Sequence, residues 1–435
     1  MLPADFLEAV PAQAVYRPVP LPEDQNALAL WRRAVELFVK PDDEGDLWGE
    51  LVYGTIEEPE GSPLGSTHAD AARNLLQRNA EAVRLLEEGI DRGHFRFPAF
   101  EGLDRVSDDS DFACNLGELA RLPYIRFKLL AAEGHLAAAA EELLRLLRIG
   151  EMICLGDGQM VHYLIGLWIR SAAIRGIGRL VARPDIPRLV LDDLLWAVER
   201  SLHAPDGLAQ SLRVDFSTIS LPRLQRTVDD QDLEAVVDRV LAVYYTPRRL
   251  QVVPIDPAVT GLTAEWLAWR RRQFLAILDG HPNPLDKVAT ARLMGVMVAQ
   301  TIHEVRHIER AGVLDMVGKL HRLRQRYDRH RLHRKTRFWP APLTPGFPYE
   351  SAGRSSLEPG PADLAASISM ARQLLTETTL AAARRKLRRI ANPIGLVLAE
   401  HLLAFDYSPF MFQHRAMLRR LRRLLAKRIR AAALP

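Results

Sequence analysis

His303-Glu304-Val305-Arg306-His307 is the pentapeptide in this chain whose residue types and spacing match a known catalytic chemistry. Residues four apart share a helix face, so two imidazoles can grip one zinc ion while the glutamate activates a bound water. One reading is therefore a zinc-dependent hydrolase, with His303 and His307 as metal ligands and Glu304 as the base. The surroundings argue against it. The continuation that supplies a third histidine reaches position 313, which is Val313; Asp315, His321 and Glu350 are candidates only by default. Arg306 puts a positive charge beside the cation. Met294, Val298, Ile302, Val305 and Ile308 define an apolar stripe, and at about 100° per residue His303 and His307 project from the opposite side. The sequence therefore predicts two solvent-facing histidines with no metal and no cofactor, and keeps zinc as the alternative.

A second chemistry lies in the basic run from Lys319 to Arg337. Arg322, Arg326, Arg329, Arg331, Arg334 and Lys335 are its candidate polyanion contacts, with Tyr327, Phe338 and Trp339 nearby. Arginines beside aromatics suit phosphate contacts and base stacking. No zinc-finger, RRM, KH or helix-turn-helix signature accompanies them. The competing reading is a solvated helix whose arginines pair with acidic parts of the chain. Arg415 to Arg430 is a basic amphipathic helix that suits an anionic membrane surface, a groove on a partner, or its own domain. There is no P-loop, no G-x-G-x-x-G and no G-x-S-x-G. Gly156-Asp157-Gly158 reads as a junction between two helices, and Asp108-Asp109-Ser110-Asp111 as a solvated turn without calcium-loop spacing.

The elements that must position these groups are helices. The chain has 435 residues, 48% of them hydrophobic, which is enough for a sizeable core. Val and Ile rarely alternate with polar residues, so no β-sheet is expected. From Lys319 onward there are 24 Lys and Arg against 7 Asp and Glu; before it, 34 against 47. The net charge of +4 thus hides a basic C-terminal portion and an acidic remainder. Cys114 and Cys154 form no metal-ligand pair and read as buried reduced thiols. The N-terminus lacks a basic segment followed by an apolar core, and the most apolar run, Met160 to Ile169, is too short to span a bilayer. A soluble, cytoplasmic protein is expected.

Leu119, Leu122, Ile125, Leu129 and Leu130 precede Gly134; Leu136, Ala139, Ala140, Leu143, Leu144 and Leu147 follow it. Their spacings predict two amphipathic helices in an antiparallel hairpin, with Gly134 taking positive φ at the turn. Around it the patterning predicts helices at 26–39, 67–91, 186–203, 208–221, 231–245, 264–278, from 283 to about 327, 362–390 and 411–432. The segment 94–112 reads as a packed loop. Gly134, Leu136, Ala139 and Leu143 resemble the second half of a tetratricopeptide unit, although Pro123 stands where that repeat has an aromatic. The wider stretch, with Val161 to Leu167, resembles a group of uncharacterised bacterial all-helical proteins over about 70 residues. That resemblance implies a fold and no activity.

Together these patterns predict an all-α chain of stacked antiparallel helical hairpins. Its expected parts are an arm, first helix and acidic loop at 1–66, a helical-hairpin domain at 67–281, and a basic helical portion at 282–435 with a proline-rich linker at 337–361. The expected function is a non-enzymatic helical scaffold or protein–protein interaction protein. The alternatives are the zinc hydrolase, and a binder of nucleic acid or anionic membrane through the basic portion.

Overall fold

Ala, Leu and Arg at three- and four-residue spacings build helix after helix. The computed structural model describes residues 4–40, 66–97, 106–229, 285–310 and 408–432, with ten single residues between 237 and 395. Its helices, in chain order, are α1 (Ala4–Ala9), α2 (Leu28–Leu37), α3 (Ser66–Arg78), α4 (Ala80–Asp91), α5 (Val106–Leu119), α6 (Arg121–Ala132), α7 (Leu136–Cys154), α8 (Met160–Ala182), α9 (Arg188–His203), α10 (Leu208–Asp215), α11 (Leu221–Asp229), α12 (Lys287–Arg310) and α13 (Ser408–Ala432). The fold is all-α: among the described residues the β-structure is a lone bridge between Asn26 and His94. No helix among them is long and apolar enough to cross a membrane.

Contacts divide the chain into two compact units, residues 17–214 with 407–435, and residues 1–16 with 215–406. In the first unit α6, α7 and α8 run antiparallel in succession. Gly134 takes φ +83° at the first turn. Arg126 of α6 reaches Glu142 of α7 at 3.4 Å, equidistant in sequence from that turn. Leu136, Ala139, Leu143 and Leu147 are buried along α7, as the spacing predicts. Pro123 falls in the first turn of α6, where a missing N–H leaves no helical bond unmade. Trp31 of α2 lies over Gly89 of α4 and donates from Nε1 to the Leu86 carbonyl at 3.1 Å.

Several expectations are revised. The helix expected over 67–91 is two helices, because Asn79 interrupts it. Its buried side chain donates to the Val39 and Leu75 carbonyls, both at 3.0 Å, and accepts the Val39 N–H at 2.8 Å. The loop expected over 94–112 becomes helical at Val106, and the aspartates read as a turn lie in the opening turns of α5. Acidic groups there complement the helix dipole. A π-turn, Phe216–Ser220, interrupts the helix expected over 208–221. Cys114 is exposed, whereas Cys154 is buried; both are free thiols. The last helix, grouped by charge with the basic portion, packs through Leu418, Leu421 and Leu425 in the first unit, against α8 and α9.

In the second unit α1 packs on α12, where Gly295 lies against Val10 and Pro11. Asn392 joins this unit through hydrogen bonds to the Asp286 backbone at 2.9 and 3.0 Å and to Thr290 Oγ1 at 2.7 Å.

Candidate functional site

The zinc motif lies in the last turns of α12. Ala291, Met294, Val298, Ile302 and Val305 are buried along one side, and His303 and Arg306 are exposed on the other. Met294, Val298, Ile302, Val305 and His303 fall where the spacing predicts, while the side chain of Ile308 lies outside the described residues. The side chains of Glu304 and His307 lie outside the described residues, as do Arg322, Arg326, Arg329, Arg331, Arg334 and Lys335. Among the described residues no group of three His, Cys, Asp or Glu side chains is placed to hold a metal.

A group that sequence reasoning missed lies inside the first unit. Glu151 and Cys154 from α7, Tyr163 and Arg170 from α8, Ser201 from α9, Asp206 before α10, and His414 and Arg415 from α13 are all buried. The α7–α8 antiparallel pairing brings the first four together. Tyr163 donates its hydroxyl hydrogen to Asp206 Oδ1, and Ser201 donates to Glu151 Oε1. Arg415 Nε stands 3.8 Å from Asp206 Oδ2, and its terminal nitrogens donate to the Leu202 and Ala204 carbonyls at 3.4 and 3.3 Å. Arg148 and Arg200 each approach Glu151 Oε2 at 3.7 Å. Paired charge of this kind is what permits ionised groups in a core.

The electrostatics favour structure over chemistry. Burial pushes the Cys154 thiol up to about 12 despite the nearby Arg170 guanidinium. It is therefore a thiol and not the thiolate that a nucleophile requires. Burial and then Asp206 hold the Tyr163 hydroxyl well above its ordinary value, so it remains a donor. Burial pulls Arg170 down, but the neighbouring carboxylates of Asp206 and Glu151 act against it, and its pKa is raised. His414 is held well below its ordinary value by burial, then by Arg170 and Arg415, and both ring nitrogens lack a hydrogen-bond partner. Nearby, Phe97 stacks on His162 at 3.9 Å, and His162 Nδ1 accepts the Gln159 N–H at 2.9 Å. Sequence offered one signal for this group. His162, Tyr163, Gly166, Arg170 and Ala173 recur at near-helical spacing, so a charge interrupts an apolar face.

Two surfaces of the first unit stand out. On α9, Leu189 and Trp196 are 73% and 64% exposed, seven residues apart on one face. The Arg200 guanidinium lies 5.1 Å from the Trp196 ring centroid. The opposite face, from Val190 through Ser201, is buried against α13 and α7. On α13 the exposed face is cationic. An open depression of about 350 Å³ beside α2, lined by Glu23, Asn26, Arg32, Arg33 and Glu36 among others, gathers no nucleophile and base. Comparison with family models, with curated proteins and with solved structures returns no match.

Proposed function

We propose that this chain is a non-enzymatic helical scaffold that docks another protein on the outer face of α9. The observation that carries the reading is Trp196, a large aromatic left 64% exposed on a helix whose other face is fixed in the core. Exposed tryptophan is uncommon, and Trp and Arg are both among the residue types enriched at interface hot spots. Arg200 over the ring orders the side chain before binding, which lowers the entropy cost of docking. Leu189 one heptad earlier extends the anchor along the same stripe. The buried polar group supports a structural role by the same logic: its thiol and phenol are held protonated inside the core.

The test is site-specific photo-crosslinking in the cell of origin, with the reactive group at Leu189 or, as a control, at the exposed Glu88 on α4. A discrete adduct to another polypeptide from position 189, absent from position 88 and abolished by Trp196→Ala, is expected. Identical adduct patterns from the two positions, or no adduct from position 189, overturn the reading. Sedimentation of the purified chain distinguishes a second copy of itself from a different partner.

A further inference from the structure

We propose that the exposed face of α13 binds the phosphodiester backbone of nucleic acid without reading its sequence. The helix carries eight Lys and Arg and no Asp or Glu over its 25 residues. Its apolar side is spent: Leu418, Leu421 and Leu425 are buried against α8 and α9. Directly opposite, Arg420, Arg423, Lys427 and Arg430 are exposed at successive spacings of three, four and three. At about 100° per residue these four fall within an arc of roughly 80°.

Neutralisation by the protein itself is uneven along the helix. Arg422 faces another way and pairs with Glu199 at 2.9 Å, and Arg428 donates to the Arg183 carbonyl at 2.7 Å. Among the described residues no carboxylate pairs with Arg420, Arg423 or Lys427. Arg423 instead faces like charge, helping to lower the pKa of Arg419 after burial and Arg415. A cation in the last turn complements the helix dipole, which accounts for Arg430 but not for Arg420, Arg423 and Lys427.

The geometry selects the partner. Ten residues at about 1.5 Å each spread the four cations over about 15 Å. One strand of a duplex presents about four phosphates in that length. A membrane is the weaker fit, because an interfacial helix inserts its apolar face, and here that face is in the core. Among the described side chains of α13, Leu424 is the one exposed large apolar residue.

The experiment is fluorescence anisotropy of a labelled random-sequence DNA duplex with the full chain across a salt series. Four phosphate contacts contribute a slope of about −3.6 in log K against log salt, a loss of roughly 150-fold between about 50 and 200 mM. The variant Arg420→Gln, Arg423→Gln, Lys427→Gln, Arg430→Gln removes that contribution from the slope. Gln has nearly the helix propensity of Lys and Arg, so its melting temperature is unchanged. A control with the same charge loss, Arg33→Gln, Arg84→Gln, Arg92→Gln, Arg188→Gln, keeps the wild-type slope. The variant Arg420→Lys, Arg423→Lys, Arg430→Lys also keeps it, since the contacts are to charge. The proposal is overturned by no binding at low salt, by an unchanged slope in the α13 variant, or by an equal loss in the control. Binding of phosphatidylserine vesicles without binding of the duplex overturns it as well.

Discussion

Gly150 of α7 and Gly166 of α8 meet backbone to backbone. A Cβ on Gly150 would lie 2.7 Å from the Gly166 carbonyl oxygen, and one on Gly166 would lie 2.9 Å from the Gly150 carbonyl oxygen. The same contact sets Arg170 at its depth, because the Gly150 Cβ would also meet the Arg170 Cγ at 2.5 Å and its backbone nitrogen at 2.9 Å. This close backbone approach of the two helices and the place of the buried guanidinium are one feature.

Gly166→Ala and Gly150→Ala should therefore destabilise the chain, each by about 1–3 kcal/mol from overpacking, despite the better helix propensity of alanine. Gly178→Ala in the same helix α8 is the internal control, since nothing lies within 4 Å of its Cβ. That change should be neutral or stabilising by up to about 1 kcal/mol. Urea midpoints for the three variants check this; equal midpoints for Gly166→Ala and Gly178→Ala would refute the close contact.

At the α6–α7 turn the physics is different. Gly134 has φ +83° and open space around its Cβ position, so any cost of a side chain there is in the backbone alone. Gly134→Ala should cost about 1–2 kcal/mol, and Gly134→Asn less, because Asn tolerates the left-handed region. Ala139→Leu fills a site with no spare room, Ala139 being fully buried, and should cost about 1–3 kcal/mol. Thermal melts that order the turn variants otherwise would place the strain elsewhere.

The hairpin was legible because its signal is local: apolar spacing sets the faces of α6 and α7, and Gly134 marks the turn. What escaped was set by distant partners. Nothing near Asn79 in sequence shows that its amide will hold Val39, 40 residues away, and so split a helix. The start of α5 is hidden because Asp108, Asp109 and Asp111 read equally well as a turn and as a helix opening. The buried polar group draws on α7, α8, α9 and α13, and one of its hydrogen bonds, Arg415 to the Leu202 carbonyl, spans 213 residues. Arg170 looked like the end of an apolar run because pattern alone does not supply its counterions. For α13, periodicity showed which side is apolar and which basic, but not that the apolar side is covered.

Asp206 is the counterion whose loss should matter most in that group. It accepts from Tyr163, stands near Arg415, and raises the pKa of Arg170. Asp206→Asn leaves two buried guanidinium groups without this charge and should cost about 3–5 kcal/mol. Tyr163→Phe removes one charge-assisted hydrogen bond and should cost about 1.5–3 kcal/mol. The two changes share an interaction, so the double variant should lose less than the sum of the singles. Additive losses in denaturant titrations would show that the hydroxyl and the carboxylate act independently.

His414 gives the chain an acid-side pH dependence whose sign follows from its burial. The imidazole has no hydrogen-bond partner, and burial, Arg170 and Arg415 all disfavour its protonated form. In the unfolded chain it titrates near an ordinary value of about 6.5. Below that pH the unfolded state binds a proton that the folded state refuses, so this site's contribution makes stability rise with pH. The effect is absent above about 6.5, and it reaches at most about 1.36 kcal/mol per pH unit as pH falls toward the depressed folded value. Glu142, raised by burial against the pull of Arg126 and Arg145, works in the opposite direction. Its contribution is the same in wild type and in a His414 variant, so comparison of the two isolates the histidine. His414→Leu removes the titrating ring and two unpartnered nitrogens at similar volume. Its urea midpoint should match or exceed wild type at pH 7.5, and its advantage should grow by about 1 kcal/mol or more by pH 5.5. If the difference between the two proteins stays constant across that range, the imidazole is not held neutral in the folded chain.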